Sequence, residues 1–216
     1  LDLSNSEISS CQNGIDFYQG DHLLNNVSVE NTSDKALYGT GNANITAEGL
    51  FFSDGDIGFA FTGETDVNIT NSTFQNFSGA GIKNIFIEPI GRLPEPEDEE
   101  IYLSNSLITN NNYGLILERN SYGNINNNAI YANSAAAWTN SDEEEPTLNF
   151  ENNWWGSPTG PYHYFYNTSG EGDILETADE DFDPWLLANP FEATEVEIGS
   201  LGQFKYDGVA SIAETG

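Results

Sequence analysis

The sequence predicts an all-β chain wound as a right-handed parallel β-helix, a single-stranded solenoid of about seven turns with an aromatic C-terminal cap and a short β-rich tail. Three features predict it: a segment written twice, further copies at a near-constant period, and short alternating strands punctuated by Asn, Ser and Gly. The segments at 1–17 (LDLSNSEISSCQNGIDF) and 101–117 (IYLSNSLITNNNYGLIL) agree at Leu3/Leu103, Ser4/Ser104, Asn5/Asn105, Ser6/Ser106, Ile8/Ile108 and Gly14/Gly114.

The copies share a hydrophobe, four mostly small or polar residues and a second hydrophobe. Pairs begin and end at Leu3/Ile8, Leu24/Val29, Ile45/Leu50, Ile69/Phe74, Leu103/Ile108, Ile125/Ile130 and Phe150/Trp155. Their first members stand 21, 21, 24, 34, 22 and 25 residues apart. Most copies then run through polar residues to a period-two apolar stretch, such as GIDF at 14–17, GFAF at 58–61 and GLIL at 114–117. No segment carries a 3.6-residue stripe, so the reading is strands and turns, repeated as a solenoid. Asn and Gly tolerate left-handed backbone, which lets a chain turn sharply between strands. Stacked turns would align Asn5, Asn71, Asn105 and Asn127 in a ladder with amides bonded along the rod. The grid of the leucine-rich repeats is absent. The expected organisation is β-helix turns over 1–151, a closing cap over 152–188, and a tail or the start of a further module over 189–216.

Two long steps hold acidic insertions, PIGRLPEPEDEE at 89–100 and NSDEEEP at 140–146, whose prolines and acids suit projecting loops. The charge is extreme: 35 Asp and Glu against 5 Lys and Arg, net −30. Nucleic acid and anionic lipid are bound through Lys and Arg, so neither is an expected partner. No apolar run approaches the ~20 residues needed to cross a membrane. The single cysteine, Cys11, excludes an intrachain disulfide and reads as a small hydrophobe. The chain begins mid-pattern at Leu1, as a processed product or excised piece would. With no cap ahead of Leu1, the first turn would offer an open edge. Triplets of the form Asn-x-Ser/Thr start at Asn26, Asn31, Asn44, Asn68, Asn71, Asn76 and Asn167. They agree with an extracellular or cell-surface location and possible glycosylation.

From residue 152 the period stops, and NNWWG, GP, GEGD and DFDPWL follow over 152–186. This segment resembles the closing segment of right-handed parallel β-helix repeat proteins of bacterial and archaeal surfaces, within the pectate-lyase-like superfamily. The resemblance covers the repeats in pattern and 152–187 in motif. It implies that Trp154, Trp155, Gly156, Gly160, Pro161, Pro184 and Trp185 build a cap. Tyr164, Phe165 and Phe182 are also bulky enough to cover the last turn.

The resemblance also raises polysaccharide chemistry. Elimination needs Ca2+-holding carboxylates beside a basic residue. Lys35, Lys83 and Arg119 sit at different offsets in their repeats, Arg92 lies in the inserted loop and Lys205 beyond the cap. Hydrolysis needs two carboxylates roughly 5–10 Å apart. Asp16, Asp34, Asp54 and Asp56 could meet across stacked turns, although acids this abundant make such a pair unspecific. Asp54 and Asp56, and Asp179, Asp181 and Asp183, offer alternating oxygens for a bound Ca2+, the one cofactor suggested. His22 and His163 read as ordinary surface or cap residues. The expectation is a non-catalytic structural or adhesive element of a surface layer, stalk or filament. Its expected partners are copies of itself, other cell-surface proteins or glycans, and it would polymerise through a strand donated from 193–213. A carbohydrate-binding or polysaccharide-degrading module is the rival, marked by exposed aromatics along one column.

Overall fold

The computed structural model describes residues 1–63, 65–85, 99–117, 121–139, 148–176 and 181–192, and the backbone of three short strand pieces beyond them. It is a parallel β-solenoid of about six turns, 65% strand and, among the described residues, without helix. The seventh repeat does not complete a turn: Leu148–Asn149 adds a two-residue strand and Trp154 a single bridge to Ala129.

Each full turn contributes to three faces. The first stacks residues 2–4, 20–25, 43–48, 66–70, 99–104 and 121–126 in parallel register. On the third, Ile15, Leu37, Phe59, Ile82, Leu115, Ala137 and Leu175 form one inward column. The second face is a narrow strip between two corners, with Val29, Phe52, Phe74, Ile108 and Ile130 inward and fully buried. Phe52 and Phe74 meet edge to face at 5.5 Å, as stacked aromatics of successive rungs prefer. Where the chain enters the third face, Gly14, Ala36, Gly58, Gly81, Gly114 and Ala136 share one column. A Cβ on Gly81 would stand 2.9 Å from the Gly114 carbonyl oxygen, so only the smallest side chains fit this bend.

One repeat is out of the expected register. Leu24 pairs with Ala47, not Ile45, and Val29 with Phe52, not Leu50. The true period is therefore set by Ala47 and Phe52. A two-residue slip keeps the same face inward, and Ile45, Ala47, Leu50 and Phe52 are all buried, so hydrophobicity could not choose between the registers.

The first corner is a column of left-handed residues, Asn5, Asn26, Gly49, Asn71, Asn105, Asn127 and Asn152, with φ between 48° and 68°. The second carries Ser10, Asn31, Asp54, Asn76, Asn110 and Ala132, also at positive φ. The expected amide ladder does not run along these residues, whose side chains are mostly exposed. It runs one residue later, where the side chain turns inward. At the first corner the Leu50, Ser72, Ser106 and Asn128 backbone N–H groups donate in turn to Ser72 Oγ, Ser106 Oγ, Asn128 Oδ1 and Asn153 Oδ1, at 2.9–3.1 Å. At the second, the Phe77, Asn111 and Asn133 N–H groups donate to Asn111 Oδ1, Asn133 Oδ1 and Asp173 Oδ2, at 2.7–3.0 Å.

The cap supplies a final partial layer. Phe150, Asn152 and Leu186 N–H donate to the Asp181, Pro184 and Asn153 carbonyls, which covers the last turn's edge. Trp155 and Phe182 are fully buried and Trp185 nearly so, while Trp154 is half-buried. Gly160, at φ 78°, lets Trp185 approach: a Cβ there would stand 2.6 Å from the indole. Trp185 Nε1 donates to the Pro158 carbonyl at 3.1 Å. Pro161 is buried in a short pairing with Gly172–Glu176, Gly156 turns at φ 93°, and the Asp183–Pro184 peptide bond is cis. Tyr164 and Phe165 do not cover the core as expected. They are 71% and 75% exposed, because Trp155, Phe182 and Trp185 already fill the space. The tail piece Ile198–Gly199 pairs antiparallel with Trp185–Leu186, so it folds back on its own cap.

Two stability predictions follow from the columns. Asn153 is buried, accepts from Asn128 N and Nδ2, and donates to the Ile125 and Phe150 carbonyls. Asn153→Ala should cost about 3–4 kcal/mol, since several bonds are lost and buried groups stranded. Asn105→Ala, at an exposed left-handed position, should cost only about 1–2 kcal/mol. Urea unfolding of both variants checks the order. Asn84, 1% exposed, stands in an inward column with Phe61, and both its amide atoms lack a hydrogen-bond partner among the described residues. Asn84→Leu should therefore raise stability by about 1 kcal/mol or more, and an unchanged or lower urea midpoint would contradict this account.

Candidate functional site

A groove of about 530 Å³ lies beside the first corner, lined by Asn5, Ser6, Glu7, Asn26, Val27, Ser28, Gly49 and Phe51. Its position follows from the register. Glu7, Ser28, Phe51 and Thr73 form one outward column on the second face, and Phe51 stands between Ser28 and Thr73. Phe51 is 39% exposed and forms an apolar patch among amides, hydroxyls and one carboxylate. Gly49 is the one rung of the first-corner column without a side chain, which leaves the space open. A smaller recess of about 170 Å³ on the first face is lined by Asn44, Thr46, Asp66, Asn68, Glu100 and Tyr102, among others. There the Tyr102 hydroxyl donates to Glu100 Oε1 at 2.6 Å, and this carboxylate raises the phenol's pKa.

Of the acids proposed for chemistry, Asp34 and Asp56 occupy successive rungs, with the Asp56 N–H donating to the Asp34 carbonyl at 3.3 Å, while Asp16 and Asp54 stand elsewhere. Asp16 faces outward opposite Tyr38 on the third face. Asp34 is ion-paired with Lys35 at 2.7 Å. Asp54 is a corner residue whose left-handed backbone explains its presence there. Asp56 Oδ1 accepts from Ser78 Oγ at 3.0 Å. For Ca2+, Asp179 lies outside the described residues, while Asp181 Oδ1 accepts from the Asp183 N–H and Asp183 is buried in the cap. Among the described residues, no group of three or more His, Cys, Asp or Glu side chains is placed to hold a metal ion. Lys35 and Lys83 share the third face but not a column: Lys35 pairs with Ile57, and Lys83 with Ala60 and Ile116. Arg92 and Arg119 lie outside the described residues, as does the Lys205 side chain.

The histidines have structural positions. His22 lies opposite Ile45 in an inward column and stacks on Phe17 at 4.0 Å, so it helps close the first turn and is not simply a surface residue. His163 is buried, and its Nδ1 accepts the Phe165 and Tyr166 N–H groups at 3.2 and 3.1 Å. It thereby fixes a tight loop that displays Tyr164, Phe165 and Tyr166. Cys11 is half-buried at the second corner. Asn26, Asn31, Asn44, Asn68, Asn71 and Asn76 are all exposed, as glycosylation would require. Asn167 is the exception: it is 4% exposed and its Nδ2 donates to the Thr159 and Pro161 carbonyls, both at 2.9 Å. That side chain holds the cap loop together, which argues against its use as an attachment point.

Sequence reasoning missed Asp173. It ends the second-corner ladder, accepting from Ala132 N and from Asn133 N and Nδ2. Its place could not be read from the repeat, because it enters from the cap, 40 residues beyond Asn133.

Parallel strands in three stacked faces with inward ladders at the corners define a β-solenoid. Residues 1–88 match the family model described as right handed beta helix region, and the parallel solenoid is consistent with a right-handed β-helix repeat protein. No curated protein and no solved structure matches it.

Burial pushes the Asp173 carboxyl above its ordinary pKa, against the opposing effect of the bonds from Asn133 and Ala132. A folded pKa above the unfolded one means stability that is fully present below the unfolded value, near 3.8, and lost as pH rises through the folded value. The stability difference between the wild type and Asp173→Asn should thus move in favour of the variant as pH rises through that window. Urea midpoints measured from pH 3 upward check this, and a difference that grows in favour of the wild type would contradict it.

Proposed function

We propose that the chain is a non-catalytic, extracellular structural or adhesive element, a rod for a surface layer, stalk or filament. One observation carries the reading. Many of the buried polar side chains, Ser72, Ser106, Asn111, Asn128, Asn133 and Asn153 with the half-buried Asp173, are committed to binding one turn to the next. Such a ladder resists extension and shear, which is what a load-carrying or display rod needs. The acidic surface supports work in a cation-rich medium, where its self-repulsion is screened. Copies of the chain and other surface proteins are the natural partners. Polymerisation by donation of residues 193–213 would first have to open the short Ile198–Gly199 pairing with the cap.

A second reading, glycan binding, rests on the exposed Tyr164, Phe165 and Tyr166, since aromatic faces stack on sugar rings. Among the described residues, the other exposed aromatics are Tyr18, Phe51, Tyr102 and Phe191; Phe51 lies on the second face and Tyr102 on the first, so these two do not share the single track a bound polysaccharide would follow.

Negative-stain imaging at low and high salt, with and without Ca2+, separates the readings. Ordered rods longer than one molecule are expected, and a chain truncated at Ala188 should no longer form them. Isolated particles under every condition, with a positive glycan-binding screen, would replace the first reading with the second.

A further inference from the structure

We propose that Asn26 carries an N-linked glycan and that the groove beside it seats the innermost sugar against the Phe51 ring. This rests on the extracellular reading. Asn26 begins the triplet Asn26-Val27-Ser28 and is exposed at a corner, where its left-handed backbone directs the side chain away from the core. Its Nδ2 makes only a 3.4 Å contact with Asn5 Oδ1. The corresponding atoms of Asn44 and Asn71 are held by carboxylates, Asp21 at 2.8 Å and Glu48 at 3.1 Å. Among these three, Asn26 has the least to lose on modification.

The groove is the independent observation. Asn occupies six of the seven first-corner rungs, and Asn adopts left-handed backbone at low cost, so conformation alone does not require glycine at position 49. What glycine provides is space: a Cβ there would stand 2.6 Å from Asn26 Oδ1. The opening exposes Phe51 at one side and places Glu7, Ser6, Ser28 and Asn5 around it. An aromatic face with amide, hydroxyl and carboxylate neighbours suits a pyranose ring, which has one apolar face and an equatorial rim of hydrogen-bonding groups. The donor would be a lipid-phosphate-linked oligosaccharide. A bond forms between Asn26 Nδ2 and the anomeric carbon, the bond from that carbon to the phosphate oxygen breaks, and the lipid phosphate leaves with the electron pair. One amide proton is released to a base.

The test uses protein purified from the cells that make it. Peptide mapping by mass spectrometry should find a glycan on the Asn26 peptide. Phe51→Ser should lower the Tm of the glycosylated protein by roughly 2–4 °C and leave the Tm of Asn26→Gln protein unchanged. Sugar on other triplets with Asn26 unmodified overturns the inference alone. So does a Phe51→Ser shift of equal size in both backgrounds. Sugar on none of the seven triplets, in protein that fractionates with the cell interior, overturns the extracellular reading as well.

Discussion

A coil of parallel strands must turn sharply at each corner without stranding the backbone groups that the turn removes from the sheets. The rest of this structure depends on how it does so. A left-handed Asn reverses the chain, and the next residue points inward and accepts the N–H of the rung before it. The Asn128–Asn153 and Asn111–Asn133 steps show the most complete form, in which one Oδ1 takes both a backbone N–H and a side-chain amide. A buried N–H without a partner costs about as much as the bond it lacks. The corner pair is therefore what permits strands to stack over the full length of the rod.

That constraint separates two kinds of polar residue that look alike in composition. Corner asparagines such as Asn105 and Asn127 are chosen for backbone conformation, and their amides face solvent. Their immediate successors, Ser106 and Asn128, are chosen for what their side chains accept. The first kind can carry other chemistry at its exposed end, which is why Asn-x-Ser/Thr triplets and acids such as Asp54 can occur there without disturbing the core. The second kind cannot. Asp173 shows the limit, since a carboxylate drawn from the cap completes the column but must be partly desolvated to do so.

The ends and the surface set the functional character. Successive faces carry the inward hydrophobes of a continuous core, and the cap closes it with Trp155, Phe182 and Trp185. Outside, Asp34 and Asp56 stack on successive rungs, but Asp34 is ion-paired with Lys35 and Asp56 accepts from Ser78, so neither carboxylate is isolated for acid–base work. A rod of this kind offers a long surface and few concave sites. The groove at Gly49 interrupts that regularity because one rung lacks its side chain.

Much of this was legible in the sequence. The period, the all-β class, the closing aromatic segment and the need for left-handed corners are local or periodic properties, and each repeat restates them. The sequence by itself determined that Leu3, Leu24, Leu103 and Ile125 share one inward column. Only the tertiary structure decided that Ala47 joins them, because a slip of two residues keeps the same face buried and costs nothing in pattern. It also decided that the ladder lies on Ser106 and Asn128 instead of Asn105 and Asn127, since inward direction depends on the corner's backbone and not on residue type. The exposure of Tyr164 and Phe165, the burial of Asn167 and the reach of Asp173 to Asn133 belong to the same class. They are contacts between segments far apart in the chain, and no period in the sequence encodes them.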